Sequence, residues 1–167
     1  LSKSIDQTIF EGYEKTTSNS KILKIIYDSK EITECKKSDD QIIIITKNTP
    51  FYAETGGQIG DKGHFKTNTA IFDVIDTQKT PLGLYLHVGH ISDGKISVGD
   101  NIVMTVDVSL RDLIKKNHSA THLLHASLRN NLGKHVAQKG SLVNDDKLRF
   151  DFSHNKPIDR DSIEKIT

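Results

Sequence analysis

Two histidines four residues apart, His118 and His122, stand in the run Asn117-His-Ser-Ala-Thr-His-Leu-Leu-His125. On an α-helix, side chains at that spacing sit one above the other, with Cβ atoms ~5–6 Å apart. Two imidazoles so placed can hold one metal ion from the same face, the chemistry of helical zinc-binding pairs. His125, seven residues after His118, falls on that face too, because seven residues make almost two turns. The spacing equally fits a partly exposed amphipathic helix whose histidines line a polar stripe. The setting favours a site. Lys115-Lys116 precede the pair, and Gly133-Lys-His-Val-Ala-Gln-Lys-Gly-Ser141 follows it. A cationic, glycine-punctuated rim around a metal suits a phosphate-bearing ligand.

The elements that must position these residues can be read outward from them. Asp112 to Leu132 contains no Pro or Gly, and Leu124, Leu128 and Leu132 form an apolar stripe set away from the histidines. Gly133 is a suitable helix stop. Leu142-Val143 and Leu148 to Phe152 read as strands joined at Asp145-Asp146. After Pro157, Asp159 or Asp161 is placed to cap a further helix, with Ile163 and Ile166 expected on its buried side. Upstream the signal is β. Ile22 to Tyr27, Gln41 to Thr46, Ala70 to Ile75, Leu84 to Val88 and Asn101 to Val108 are rich in β-branched residues. Turns are expected at Ser92-Asp-Gly-Lys95 and Val98-Gly-Asp100. Short strands at this spacing predict a small closed barrel. Residues 1–20 lack clean periodicity and read as a lead-in.

Between strands lies Pro50-Phe-Tyr-Ala-Glu-Thr-Gly-Gly-Gln-Ile-Gly-Asp-Lys-Gly63. It has neither the Gly-Lys-Ser/Thr ending of a P-loop nor dinucleotide-fingerprint spacing. Two readings stand for Gly56, Gly57 and Gly60: a tight loop using glycine for positive φ, or a close backbone approach to a ligand or neighbouring domain.

At 167 residues the chain can bury a real core, and with 27% charged and 35% hydrophobic residues its composition is globular. A net charge of +1 excludes a broad electrostatic grip on nucleic acid, so any RNA contact must come from a local cluster. The longest apolar run, Ile42 to Ile45, is far too short for a bilayer, and no secretion leader is evident. The lone Cys35 suits a reducing compartment and sits in a charged run. A start at Leu1 and an apolar helix face only just begun at the C-terminus both suggest a piece of something longer.

The strings Asn117 to Arg129, Gly133 to Val143 and Leu148-Arg-Phe-Asp-Phe-Ser-His154 resemble the editing region of the alanyl-tRNA synthetase family. Pro50 to Gly63 resembles that family's glycine-rich motif, and Phe10-Glu-Gly-Tyr13 its lead-in; the resemblance covers essentially the whole chain. It implies an α+β fold: a small antiparallel, elongation-factor-like β-barrel over 21–109 after the lead-in, then, over 110–167, the first part of the α/β editing domain shared by threonyl- and alanyl-tRNA synthetases. It implies a parent enzyme that alanylates tRNA with ATP and Mg, neither bound by this part, and an editing site that hydrolyses mischarged seryl- or glycyl-tRNA. The isolated piece is expected to be inactive.

In residues, the resemblance implies His118 and His122 as zinc ligands, Thr121 and Gln138 in the editing pocket, and Lys115, Lys116, Lys134 and Lys139 toward RNA. The family's later CxxxH motif, which completes the zinc site, has no counterpart in this sequence. His125, His135 and His154 are expected to pack or to support. Expected partners are the aminoacylated 3′ end of tRNA and the rest of a synthetase chain, in the cytoplasm, with no membrane. Two alternatives stay open: a free-standing trans-editing deacylase, and a non-catalytic RNA-binding barrel module.

Overall fold

The structure, a computed structural model, describes residues 7–166; of the expected lead-in, residues 1–6 lie outside the described residues, as does residue 167. The chain divides into two units, one formed by the chain up to Glu54 with Gly60–Val108, the other by Thr55–Ile59 with Ser109–Thr167.

Among the described residues the first unit has nine strands: β1 (Ile9–Phe10), β2 (Thr17–Tyr27), β3 (Lys30–Ile32), β4 (Glu34–Thr46), β5 (Asn48–Thr49), β6 (Gly63–Lys66), β7 (Ile71–Lys79), β8 (Tyr85–Ser97) and β9 (Asn101–Val106). The antiparallel order β2-β4-β8-β7-β6-β9 closes on itself because β9 also pairs with β2, Ser20 opposite Ile102. Six strands thus form a barrel with no free edge between first and last. β3 adds to β2 as a hairpin, and β1 pairs with β5 in parallel. Inward side chains alternate along much of the sheet, as a two-residue pleat requires, and bring Ile25, Ile44, Phe65, Phe72 and Met104 into one core with Phe51, which follows β5.

The expected barrel, helix and small sheet of an α+β chain are all present, with local differences that have physical causes. β2 starts at Thr17, not at Ile22, because the inward positions at its start are Ser18 and Ser20. The Ser20 hydroxyl donates to the Asn48 carbonyl at 2.8 Å, so polar residues fill core-facing positions and hide the alternation. Ser92 to Lys95 is not a turn. β8 runs through it, paired with β7 as far as Asp93 and with β4 both before it, from His87 to Ile91, and after it, from Lys95 to Ser97. Gly94, at φ +73°, packs so tightly on Thr69 and Ala70 that a Cβ would meet the Thr69 carbonyl oxygen. Its glycine allows a bend within one strand, not an end to it.

The second unit carries helix α1 (Val108–Leu132), the hairpin β10 (Gln138–Val143) with β11 (Leu148–Phe152), and helix α2 (Arg160–Ile166). Gly133, at φ +114°, ends α1, its N–H reaching the Arg129 carbonyl. Leu128 is buried, while Leu124 and Leu132 are half-buried. Asp159, not Asp161, caps α2 by accepting from the Ser162 amide at 2.8 Å. Ile163 is 47% exposed, contrary to the expected buried face; seven residues give α2 too few turns to bury one continuous stripe. Among the described residues no helix is long and apolar enough to cross a membrane.

Candidate metal and editing site

Helix α1 brings His118 and His122 together as its periodicity dictates. Their Nε2 atoms are 3.0 Å apart and their ring centroids 4.9 Å apart, with the planes at 47°. The other nitrogen of His118 is engaged: Nδ1 lies 2.7 Å from Oε1 of Gln58. An amide oxygen only accepts, so His118 must carry its proton on Nδ1, which leaves the Nε2 lone pair facing His122. A metal-ligating imidazole is held in the same way by a hydrogen bond to its far nitrogen.

Gln58 is delivered by the glycine-rich stretch. Thr55 to Gln58 form a tight turn in which the Gln58 amide donates to the Thr55 carbonyl at 3.0 Å. Gly56 and Gly57 at its centre have φ of +60° and +85°, a pair of left-handed positions that only glycine occupies without strain. The turn is pinned to β10: Val143 donates to the Gly57 carbonyl at 2.7 Å and Ile59 to the Val143 carbonyl at 3.1 Å. A Cβ on Gly57 would lie 2.4 Å from the Ser141 carbonyl oxygen, so backbone meets backbone there. Gly60 belongs instead to the barrel unit, against Thr77.

The candidate pocket residues join this network by different routes. Thr121 is buried, and its hydroxyl donates to the Asn117 carbonyl one turn back at 2.8 Å. With its proton so committed, the oxygen can only accept from any further group. Gln138 is exposed beside a bulge in the hairpin, and its amide donates to the Ser141 hydroxyl, which donates to the Gly56 carbonyl. Asn117 donates to the Asn144 carbonyl at 2.8 Å, fixing α1 on the hairpin turn. Lys115, Lys116, Lys134 and Lys139 are all exposed. Lys115 lies three residues before His118, on the same helix face.

The remaining histidines divide. His125 packs on Phe150, ring centroids 5.0 Å apart, and its buried Nε2 has no hydrogen-bond partner. His135 Nε2 and His154 Nδ1 are 2.9 Å apart with centroids at 5.1 Å. The nitrogens are closer there than in the His118–His122 pair, yet the rings are farther apart. The His135–His154 rings therefore meet nearly head-on, as in an N–H···N bond, whereas those of His118 and His122 are tilted off the line joining their nitrogens.

The spacing of the His118 and His122 nitrogens is the test of fit for zinc. Two imidazoles on a tetrahedral zinc, each nitrogen ~2.0–2.1 Å from the ion, have those nitrogens roughly 3.3 Å apart, close to the 3.0 Å found. Among the described residues no group of three or more His, Cys, Asp or Glu could hold a metal. The pair fits as half of a ligand set. Gln58, absent from the residues singled out in the sequence, is its support; the signal was the Gly-Gly turn placing a polar side chain directly after it.

A family model described as tRNA synthetases class II (A) matches residues 1–110. The chain belongs to the class II (A) tRNA synthetases. Within that family the similarity is to alanine–tRNA ligases: 44% identity to the one from Acidithiobacillus ferridurans over 99% of this chain, and 45% to that of Haemophilus influenzae over 96%. The ligase of Caldicellulosiruptor saccharolyticus is 44% identical over the same share. These matches run through α1 and the hairpin, beyond the reach of the family model, and bear out the resemblance to alanyl-tRNA synthetase. The chain spans 19% of the length of the Acidithiobacillus relative and 18% of the other two.

Proposed function

We propose that the chain is the editing part of an alanine–tRNA ligase and that its second unit contributes one side of a site hydrolysing mischarged seryl- or glycyl-tRNA. The observation that carries this reading is the pair of convergent imidazole nitrogens with His118 fixed through Gln58. The parent enzyme activates alanine with ATP and Mg on sequence outside this chain and charges its tRNA.

Such a site answers a physical problem. A pocket shaped for alanine cannot strongly exclude serine, which merely adds a hydroxyl, whereas a second site that hydrogen-bonds that hydroxyl rejects alanine well. His118 and His122 would hold zinc, which when bound supplies Lewis acidity or a template for the aminoacyl end; its other ligands lie outside these residues. Gln58 holds His118 in the ligating tautomer. Thr121, its own proton given to Asn117, can accept one from the serine hydroxyl. Gln138 offers donor and acceptor to the ester or the ribose. Lys115, Lys116, Lys134 and Lys139 offset phosphate charge near the 3′ end. Hydrolysis adds water across the ester, returning free amino acid and the tRNA 3′ hydroxyl.

The test is His118→Ala in the parent enzyme, with seryl-tRNA deacylation and alanine charging measured side by side. Deacylation should fall at least a hundredfold with charging intact. Unchanged deacylation would sink the site and favour a non-catalytic RNA-binding module.

A further inference from the structure

We propose that the barrel carries its own RNA-backbone contact, a groove that grips phosphates through Lys21, Lys47 and Lys66. The choice of RNA as occupant rests on the reading above, that the chain handles tRNA. The groove, of about 870 Å³, is lined by these lysines together with Asn19, Asn101 and Asp100. It lies wholly within the first unit.

The three lysines come from separate parts of the chain and are drawn together by strand pairing. β9 is flanked by β2 and β6, so that Asn19, Val103 and Lys66 form one cross-strand row and Lys21 stands opposite Asn101. Ile102 and Met104 point inward, leaving Asn101 and Val103 outward on the same face as Lys21 and Lys66. Lys47 joins them because its amide donates to the Lys21 carbonyl at 3.1 Å. Two strand spacings across and two residues along put the Cα atoms of Lys21 and Lys66 roughly 12 Å apart, within reach of neighbouring phosphates for side chains this long.

The charge balance of the groove is one-sided. Lys15, Lys24 and Lys95 are taken up by Glu11, Glu31 and Glu34, whereas among the described residues Lys21, Lys47 and Lys66 are in no ion pair. The groove's one acid, Asp100, turns a carboxylate oxygen to the Ser97 amide at 2.8 Å. Around the lysines stand neutral amides and hydroxyls able to bond phosphate or ribose oxygens. A chain of net charge +1 can hold RNA only through such a local cluster.

The experiment is the binding of an alanine-accepting tRNA transcript to this 167-residue chain across a range of salt concentrations. The triple variant Lys21→Gln, Lys47→Gln, Lys66→Gln should bind on the order of tenfold to a hundredfold more weakly near 0.1 M salt. Its slope of log K against log salt should shrink by about 2–3, since each phosphate contact contributes ~0.7–0.9. Arginine at the three positions should restore binding. The equally charge-reduced Lys30→Gln, Lys36→Gln, Lys37→Gln variant should bind like the unaltered chain. Editing is read separately, as seryl-tRNA deacylation by the parent enzyme, so loss of that activity and loss of the groove are distinguishable. The proposal is overturned if the unaltered chain binds no tRNA, if the groove variant keeps affinity and slope, or if the control triple weakens binding equally. It is also overturned if the groove variant loses a polyglutamate peptide but keeps tRNA, which would mark a protein-docking surface.

Discussion

Gln58 and His118, sixty residues apart, are joined at 2.7 Å between amide oxygen and ring Nδ1. The bond ties the glycine-rich turn to the histidine helix and decides which imidazole nitrogen is free. Gln58→Leu should therefore lower zinc affinity by 10- to 100-fold, the usual effect of removing such a support. Competition with a chromophoric chelator measures it. Unaltered affinity in Gln58→Leu would show the bond to be incidental.

Zinc binding by this chain alone should be weak, because only two convergent ligands are present among the described residues. Elemental analysis after dialysis should find well under one zinc per chain. His118→Ala should abolish what remains, while His135→Ala and His154→Ala should not change it, since those rings meet head-on. Tight stoichiometric zinc would mean that the ligand set is complete within these residues.

Thr121→Val keeps the shape of the side chain and removes only the hydroxyl. Its hydroxyl bond is to its own helix, so the stability change should stay within about 1 kcal/mol. In the parent enzyme, seryl-tRNA hydrolysis should fall at least tenfold with zinc content unchanged. Equal loss of both would point to disruption of the helix and not to substrate recognition.

The barrel has a pH-sensitive centre. His87 is fully buried between Phe51 and Phe65, with Nδ1 donating to the Ile44 carbonyl at 3.0 Å and Nε2 2.8 Å from the Thr49 hydroxyl. Burial pushes its pKa down to about 4, against 6.5 unperturbed. Between those values the unfolded chain binds the proton and the folded one does not. Stability is thus fully present above pH 6.5 and is lost as pH falls toward 4, by about 3 kcal/mol in all. Urea denaturation at pH 7, 5.5 and 4 measures this, and His87→Gln should flatten that part of the profile. A slope that is the same in both proteins would assign the acid sensitivity elsewhere.

Gly57→Ala should destabilise the second unit by about 2–4 kcal/mol, from the left-handed backbone and from the clash with Ser141. Gly56→Ala, with open space around its Cβ position, should cost only the conformational part, about 1–2 kcal/mol. Hydrogen exchange at Val143 and Ile59 resolves the two.

The features legible residue by residue lie within a turn or a pleat. The four-residue spacing places His118 and His122 on one face because the helix repeats every 3.6 residues, and Gly56-Gly57 specifies its turn because other residues resist positive φ. Runs of β-branched residues marked five strands of the barrel, because such side chains suit an extended, half-buried backbone. Tertiary structure decided the rest. Gln58 became the partner of His118 through a bridge to Val143, a pairing set by hydrogen bonds between segments far apart in the chain. Ser18 and Ser20 turned inward at the seam where β2 meets β9, a place where closure of the barrel outweighs side-chain polarity. Lys21, Lys47 and Lys66 look like three unrelated surface charges until strand register makes them neighbours. Local periodicity is written residue by residue, but register is chosen by the whole sheet at once, and the supports of this site depend on register.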